Sequence, residues 1–286
     1  VWDAGHQPVV DREVYEVRAR LIFSLTLSIA MLAILGGATA SQAAPGSLRI
    51  LITTNNAYSS EFSAALVAMP GVAAVDTFDT QSGTPSPETL ATYDLVAGLG
   101  DSSYQDPALW GDRLAAFIDA GGVFTQYAYD NWDQSGAHPT GRFESGGYGP
   151  FIPGSDDALL TSLGTILVPS SPLLAGVPSF TTSDNTTPAV APGATLLAKW
   201  TDDRNAIATK GRVLSVAASP QNGSLDPMSA AAQLAVNAGN VLGPQPPSPV
   251  TGQRAAALKK CKKKNKKHHN KKKFNKCKKK ANLLPV

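Results

Sequence analysis

The chain has 286 residues, of which 43% are hydrophobic and 16% charged, with a formal net charge of +3. This size and apolar content exclude a wholly disordered chain and leave room for one domain of ordinary dimensions. The net charge is the sum of two opposite parts. Residues 259–280 hold fourteen of the twenty-five basic residues and no acid, whereas residues 45–258 hold eight basic and eighteen acidic residues, a net of −10.

Residues 1–16 carry four acids, which opposes a targeting segment, and they are set aside as an upstream extension. Arg18 and Arg20 then precede an apolar stretch from Leu21 to about Leu35, closed by Gly36 and Gly37. Small residues follow in the pattern of signal cleavage, after Ala40 or after Ala43. The run is shorter than the roughly 20 residues of a bilayer-spanning helix. Residues 1–43 therefore read as extension plus signal peptide, with a retained anchor as the alternative, and the product is expected to be secreted or associated with the cell surface.

Residues 44–242 alternate between strand and helix patterns. SLRILIT (47–53) reads as a strand, 59–69 as a helix, VAAVDTF (72–78) as a strand and 86–93 as a helix start capped by Ser86. DLVAGLG (94–100) is a third strand. Residues 106–122 form the clearest helix, with Asp106 as cap, Pro107 in the first turn, Leu109, Leu114, Phe117 and Ile118 on the packed side, and Gly121–Gly122 as stop. VFTQYAY (123–129) is a fourth strand and DDALLTSLG (156–164) a short helix. Strands at 194–203, 205–210 and 211–219 end the sheet, and 226–242 is a last helix. This repetition predicts an α/β three-layer sandwich with a mostly parallel, flavodoxin-like central sheet.

The segments YDLVAGLGDSSYQDPALWGDRLAAFIDAGG (93–122), SSPLLAGVPSF (170–180) and LLAKWTDDRNAIATKGRVLSVAA (196–218) together resemble the class I glutamine amidotransferase-like superfamily, in a divergent branch near the ThuA-like proteins. The resemblance spans roughly residues 48–242. It implies a functional elbow after the strand equivalent to VFTQYAY. Catalytic members carry a Cys there; this chain runs into Asp130, Asn131 and Trp132, and the domain has no Cys. A ThuA-type His near the strand's end is replaced by Ala128 or Tyr129, with His138 a few residues on. Amidotransferase chemistry is thereby excluded.

The acid–base candidates are Asp130, Asp133 and His138, on the loop after the fourth strand, where such sheets bind ligands. The alternative is a solvated turn. Tyr127, Tyr129, Trp132 and Tyr148, with Asp101, suit a sugar platform of aromatic faces beside hydrogen-bonding groups; alternatively the aromatics are core. No nucleotide, metal or other cofactor signature is present, so none is expected.

Residues 243–258 are a Pro/Gly-rich linker and 259–286 a Lys-rich tail. The tail resembles Lys/Cys-rich endings of exported proteins of high-GC soil actinobacteria. Cys261 and Cys277, the chain's two cysteines, suit a disulfide in an oxidising exterior, with a metal site alongside His268 and His269 or free thiols as alternatives. The tail suits an anionic envelope polymer or a membrane surface, and its single aromatic, Phe274, speaks against nucleic acid. Two functions follow: a noncatalytic surface module that recognises a glycan, protein or envelope component, or a carbohydrate-active enzyme of ThuA-like type using acidic residues and His138.

Overall fold

A computed structural model describes residues 47–54, 60–221, 223–244, 257–263 and 271–282. The signal-peptide, cleavage-site and most of the linker readings lie outside these residues. No helix among the described residues is long and apolar enough to cross a membrane.

The order is β1 (Leu48–Thr54), α1 (Ser60–Val67), β2 (Val72–Asp79), α2 (Pro87–Leu90), β3 (Leu95–Leu99), α3 (Pro107–Asp119) and β4 (Val123–Gln126), the sequence of elements that the pattern leads one to expect, except that β4 stops at Gln126 and the rest of the expected strand 123–129 turns away from the sheet. β3 is apolar and buried throughout, and β1 is buried at every position but the exposed Arg49, as central parallel strands covered on both faces are. α3 is capped by Asp106, whose side chain accepts from Leu109 N, with Pro107 in the first turn. Its packed side includes Trp110, Leu114, Phe117 and Ile118, while Leu109 is exposed.

A 3₁₀ turn (Ala128–Asn131) and α4 (Gly141–Ser145) follow β4. The chain then becomes a series of strands: β5 (Phe151–Ile152), β6 (Asp156–Asp157), β7 (Thr161–Ile166), β8 (Thr181–Thr182), β9 (Asn185–Thr186), β10 (Ala189–Val190), β11 (Thr195–Trp200), β12 (Asn205–Lys210), β13 (Val213–Val216) and β14 (Leu225–Asp226). α5 (Met228–Leu242) closes the domain.

The principal sheet has the order β14-β8-β7-β11-β12-β13-β4-β3-β1-β2. β2, β1, β3, β4 and β13 run parallel. Every pairing from β13 outward through β12, β11, β7 and β8 to β14 is antiparallel. The sheet is therefore mixed, and the expectation of a mostly parallel, flavodoxin-like sheet is corrected. The cause is loop length. Only a few residues separate β11, β12 and β13, too few for a parallel crossover, which needs a dozen or more. The expected helix over 156–164 is also corrected: β6 and β7 occupy that stretch, and Leu163 and Ile166 pair with β11.

Helices cover both faces of the parallel half. On one, Phe62 and Leu66 of α1 and the alanine-rich side of α5 pack on Ile50, Ile52, Leu95 and Ala97. On the other, Trp110, Leu114 and Phe117 of α3 pack on Leu51, Val96 and Phe124. The small side chains of α5 let it approach the sheet closely, with Gly239 against Leu48.

Candidate functional site

The carboxyl ends of β3, β4 and β13 converge on the 3₁₀ turn. Asp130 in that turn is fully buried. Its Oδ1 accepts from the Tyr104 hydroxyl, while Oδ2 has no partner among the described residues. Two glycines make room for it. A Cβ at Gly98 would stand 1.8 Å from Asp130 Oδ2, and one at Gly100 would stand 2.6 Å from Oδ1. Burial raises the Asp130 pKa from 3.8 to about 7, against the opposing pull of the Tyr104 hydroxyl and the Gly100 N–H. Asp130 is thus sealed under Tyr104, and its carboxyl meets no solvent.

Tyr129, the preceding residue, faces the other way. Its hydroxyl donates to Asp184 Oδ1 at 2.9 Å, and Ser224 Oγ donates to Asp184 Oδ2 at 2.7 Å. Asp184 itself is placed by the backbone: Ser219 N donates to its carbonyl, and Thr186 Oγ1 donates to Ala128 O. Burial, the Asp184 hydrogen bond and the charges of Asp184, Asp156 and Asp101 raise the Tyr129 pKa and keep the phenol protonated. Asp156 is raised as well, first by partial desolvation, then by the charges of Asp184, Asp157 and Asp101. Three carboxylates from the β3 loop, β6 and the segment before β9 thus act on one phenol. The Trp132 ring lies 5.6 Å from that of Tyr129, tilted by 59°.

The expected acid–base set does not come together. Asp130 pairs with Tyr104, Asp133 is exposed, and His138 Nδ1 lies 2.7 Å from Trp132 O. A carbonyl only accepts, so Nδ1 carries the proton. Nε2 of His138 lies 4.0 Å from the exposed Glu144. His138 braces Trp132 and shares no partner with Asp130.

The expected platform divides. Tyr127 is core: its hydroxyl donates to Ala231 O at 2.8 Å, and its ring meets Phe62 edge-on at 5.3 Å. Tyr148 stacks on Phe143 and donates to Asp119 Oδ1 at the end of α3, toward the amino edge of the parallel strands. Asp101, Tyr129 and Trp132 remain at the carboxyl edge.

No family model and no curated protein matches the chain. Solved structures do. A cytoplasmic protein of Salmonella typhimurium is 10% identical with a TM-score of 0.55, over 69% of this chain and 100% of its own. A second cytoplasmic protein, from Salmonella typhimurium LT2, is 11% identical with a TM-score of 0.54, over 69% and 100%. A putative ThuA-like protein from Bacteroides uniformis is 14% identical with a TM-score of 0.49, over 71% and 94%. These are distant likenesses of fold, and no chemistry is carried over from them.

The sequence places Tyr104 only as an aromatic near the loop platform, without its tie to Asp130, and gives no role to Asp156, Asp184 or Ser224. One signal was available for the first. Gly98 stands alone inside an apolar strand, which marks a close approach by another group; that group is the Asp130 carboxyl held by Tyr104. Asp184 and Ser224 come from irregular segments and had no comparable mark.

Proposed function

We propose that the domain is a carbohydrate-active enzyme whose site lies at the carboxyl edge of β3 and β4. The observation that carries this reading is the grouping of Asp101, Asp156 and Asp184 around Tyr129, with Trp132 alongside. A carboxyl whose pKa is raised is the better placed of a pair to donate a proton to a leaving group, and a neighbouring carboxylate serves as base or nucleophile; Asp156 is exposed at the start of β6. Asp156 takes the first role and Asp101 the second. Asp184 accepts the Tyr129 O–H and so leaves the phenol oxygen to accept from a sugar hydroxyl, and Trp132 stacks against the ring face. His138 acts through Trp132 and does not transfer a proton.

The test is turnover across a panel of oligosaccharides by the purified chain and its Asp156→Asn variant. The expected result is hydrolysis or transfer reduced by about 10²-fold or more in the variant, with an unchanged melting temperature. Turnover that survives Asp156→Asn would falsify the assignment. Glycan binding without turnover, weakened by Trp132→Ala, would instead support the second reading, a noncatalytic recognition module. The missing elbow Cys favours that reading.

We further propose that the chain is exported and that its Lys-rich tail associates with anionic material of the cell envelope. The support is the apolar segment after Arg20 and the fourteen lysines of residues 259–280. Sedimentation with purified envelopes across a salt series tests it. Salt should release the full chain, and a chain ending at residue 250 should stay in the supernatant.

A further inference from the structure

Residues 257–263 form a helix, α6, and Lys271–Asn282 form another, α7, joined by a disulfide between Cys261 and Cys277. The apolar positions of α7 are Phe274, Cys277 and Ala281, spaced i, i+3, i+7 on one side. Ala281 and Cys261 are buried, and Phe274 and Cys277 half-buried. Lys262, Lys263, Lys276, Lys278, Lys279 and Lys280 are exposed, and none of them belongs to an ion pair among the described residues.

Such a sequence has little reason to be helical by itself. Lys276 repels Lys279 and Lys280 at i+3 and i+4, and an isolated helix of this length is marginal in water. The disulfide and the small apolar stripe hold the lysines together against that repulsion. A polyanion would relieve it.

The side chains narrow the ligand. Lysines are point charges without the planar fork that fits one phosphate geometry, and residues 259–280 contain no arginine. Phe274, the one aromatic of residues 259–280, is partly covered, which disfavours stacking on bases, and among the described residues of the tail no exposed apolar side chain is offered to a bilayer. What remains is multivalent attraction to a row of negative charges.

We propose that α6 and α7 form a disulfide-clasped cationic face for a linear polyanion, with Cys261–Cys277 as the element that positions the lysines. This rests on the tail association proposed above and adds the clasp and the ligand's chemistry.

The experiment titrates the full-length oxidised chain with long-chain inorganic polyphosphate at several salt concentrations. Two variants run beside it: Cys261→Ser with Cys277→Ser, and Lys276→Gln with Lys279→Gln and Lys280→Gln. The expected result is binding whose logarithm falls linearly with log salt. The glutamine variant should flatten the slope by about 2, at about 0.7 per neutralised charge. The serine variant should keep the slope, because its charges are intact, and should bind roughly five- to tenfold more weakly, because its face is no longer preorganised. Equal affinity of the serine variant and the parent overturns the clasp and leaves the tail association standing. No polyphosphate binding by any form overturns both. Tighter binding to anionic lipid vesicles than to polyphosphate, at equal phosphate concentration, overturns the choice of ligand.

Discussion

Asp130 shows how far one residue departs from its place in the sequence. Read along the chain, it is an acid on a polar loop. In the fold, the 3₁₀ turn after β4 tucks it over Gly98 and Gly100, with Tyr104 as its donor. Its folded-state pKa of about 7 lies above its ordinary 3.8. Between those values the folded chain holds a proton that the unfolded chain has released, so this group's contribution to stability falls as pH rises across that window and stays low above it. The span corresponds to at most on the order of 4 kcal/mol. Asp130→Asn should therefore flatten the fall in melting temperature between about pH 4 and pH 7, while Tyr104→Phe, which removes the hydrogen bond that lowers the folded-state pKa, should extend the fall to higher pH. Thermal melts across pH measure both, and an unchanged profile in Asp130→Asn would assign the dependence to other groups. Gly98→Ala places a methyl against Asp130 Oδ2 and the Phe124 ring. It should cost about 1–3 kcal/mol or more by overpacking, read from the denaturant midpoint, with partial rescue by Asp130→Ala.

Helix ends obey local rules, and α3 is legible for that reason. Asp106 caps it from one residue outside, and Pro107 takes a position whose N–H needs no partner. Asp106→Ala should lower stability by about 1 kcal/mol, measured by denaturation, while Asp106→Asn should stay near the parent. The segment 156–164 is not legible locally. Its leucines suit a helix, yet pairing with β11 and the Asp157 contact to Arg204 at 2.7 Å make it extended. Tertiary pairing overrides propensity there, as it does most readily in short elements. Tyr127 links two elements, with its hydroxyl reaching α5. Tyr127→Phe should cost roughly 1–2 kcal/mol in denaturant stability by leaving the Ala231 carbonyl without that donor. Glycan binding should not change, which separates this core residue from Tyr129 and Trp132.

At the scale of the whole molecule, the disulfide and the domain are separate matters. Both cysteines lie in the tail, beyond α5, and no covalent link holds the sheet. Reducing the chain should leave the domain's melting temperature unchanged within error, as followed by near-ultraviolet circular dichroism. A fall of several degrees would mean that the tail supports the domain.

The sequence alone determined whatever depends on neighbours along the chain. It set the four leading strands, their intervening helices, the Asp106 cap, the division between an acidic domain and a basic tail, and the pairing open to two cysteines. Local sterics, apolar periodicity and charge count are enough for each of these. Strand direction beyond β13, the burial of Asp130 and the meeting of Asp101, Asp156 and Asp184 at Tyr129 were decided only by tertiary structure. Each depends on segments tens of residues apart, brought together by sheet pairing and by the burial of β1 and β3 between two layers of helices.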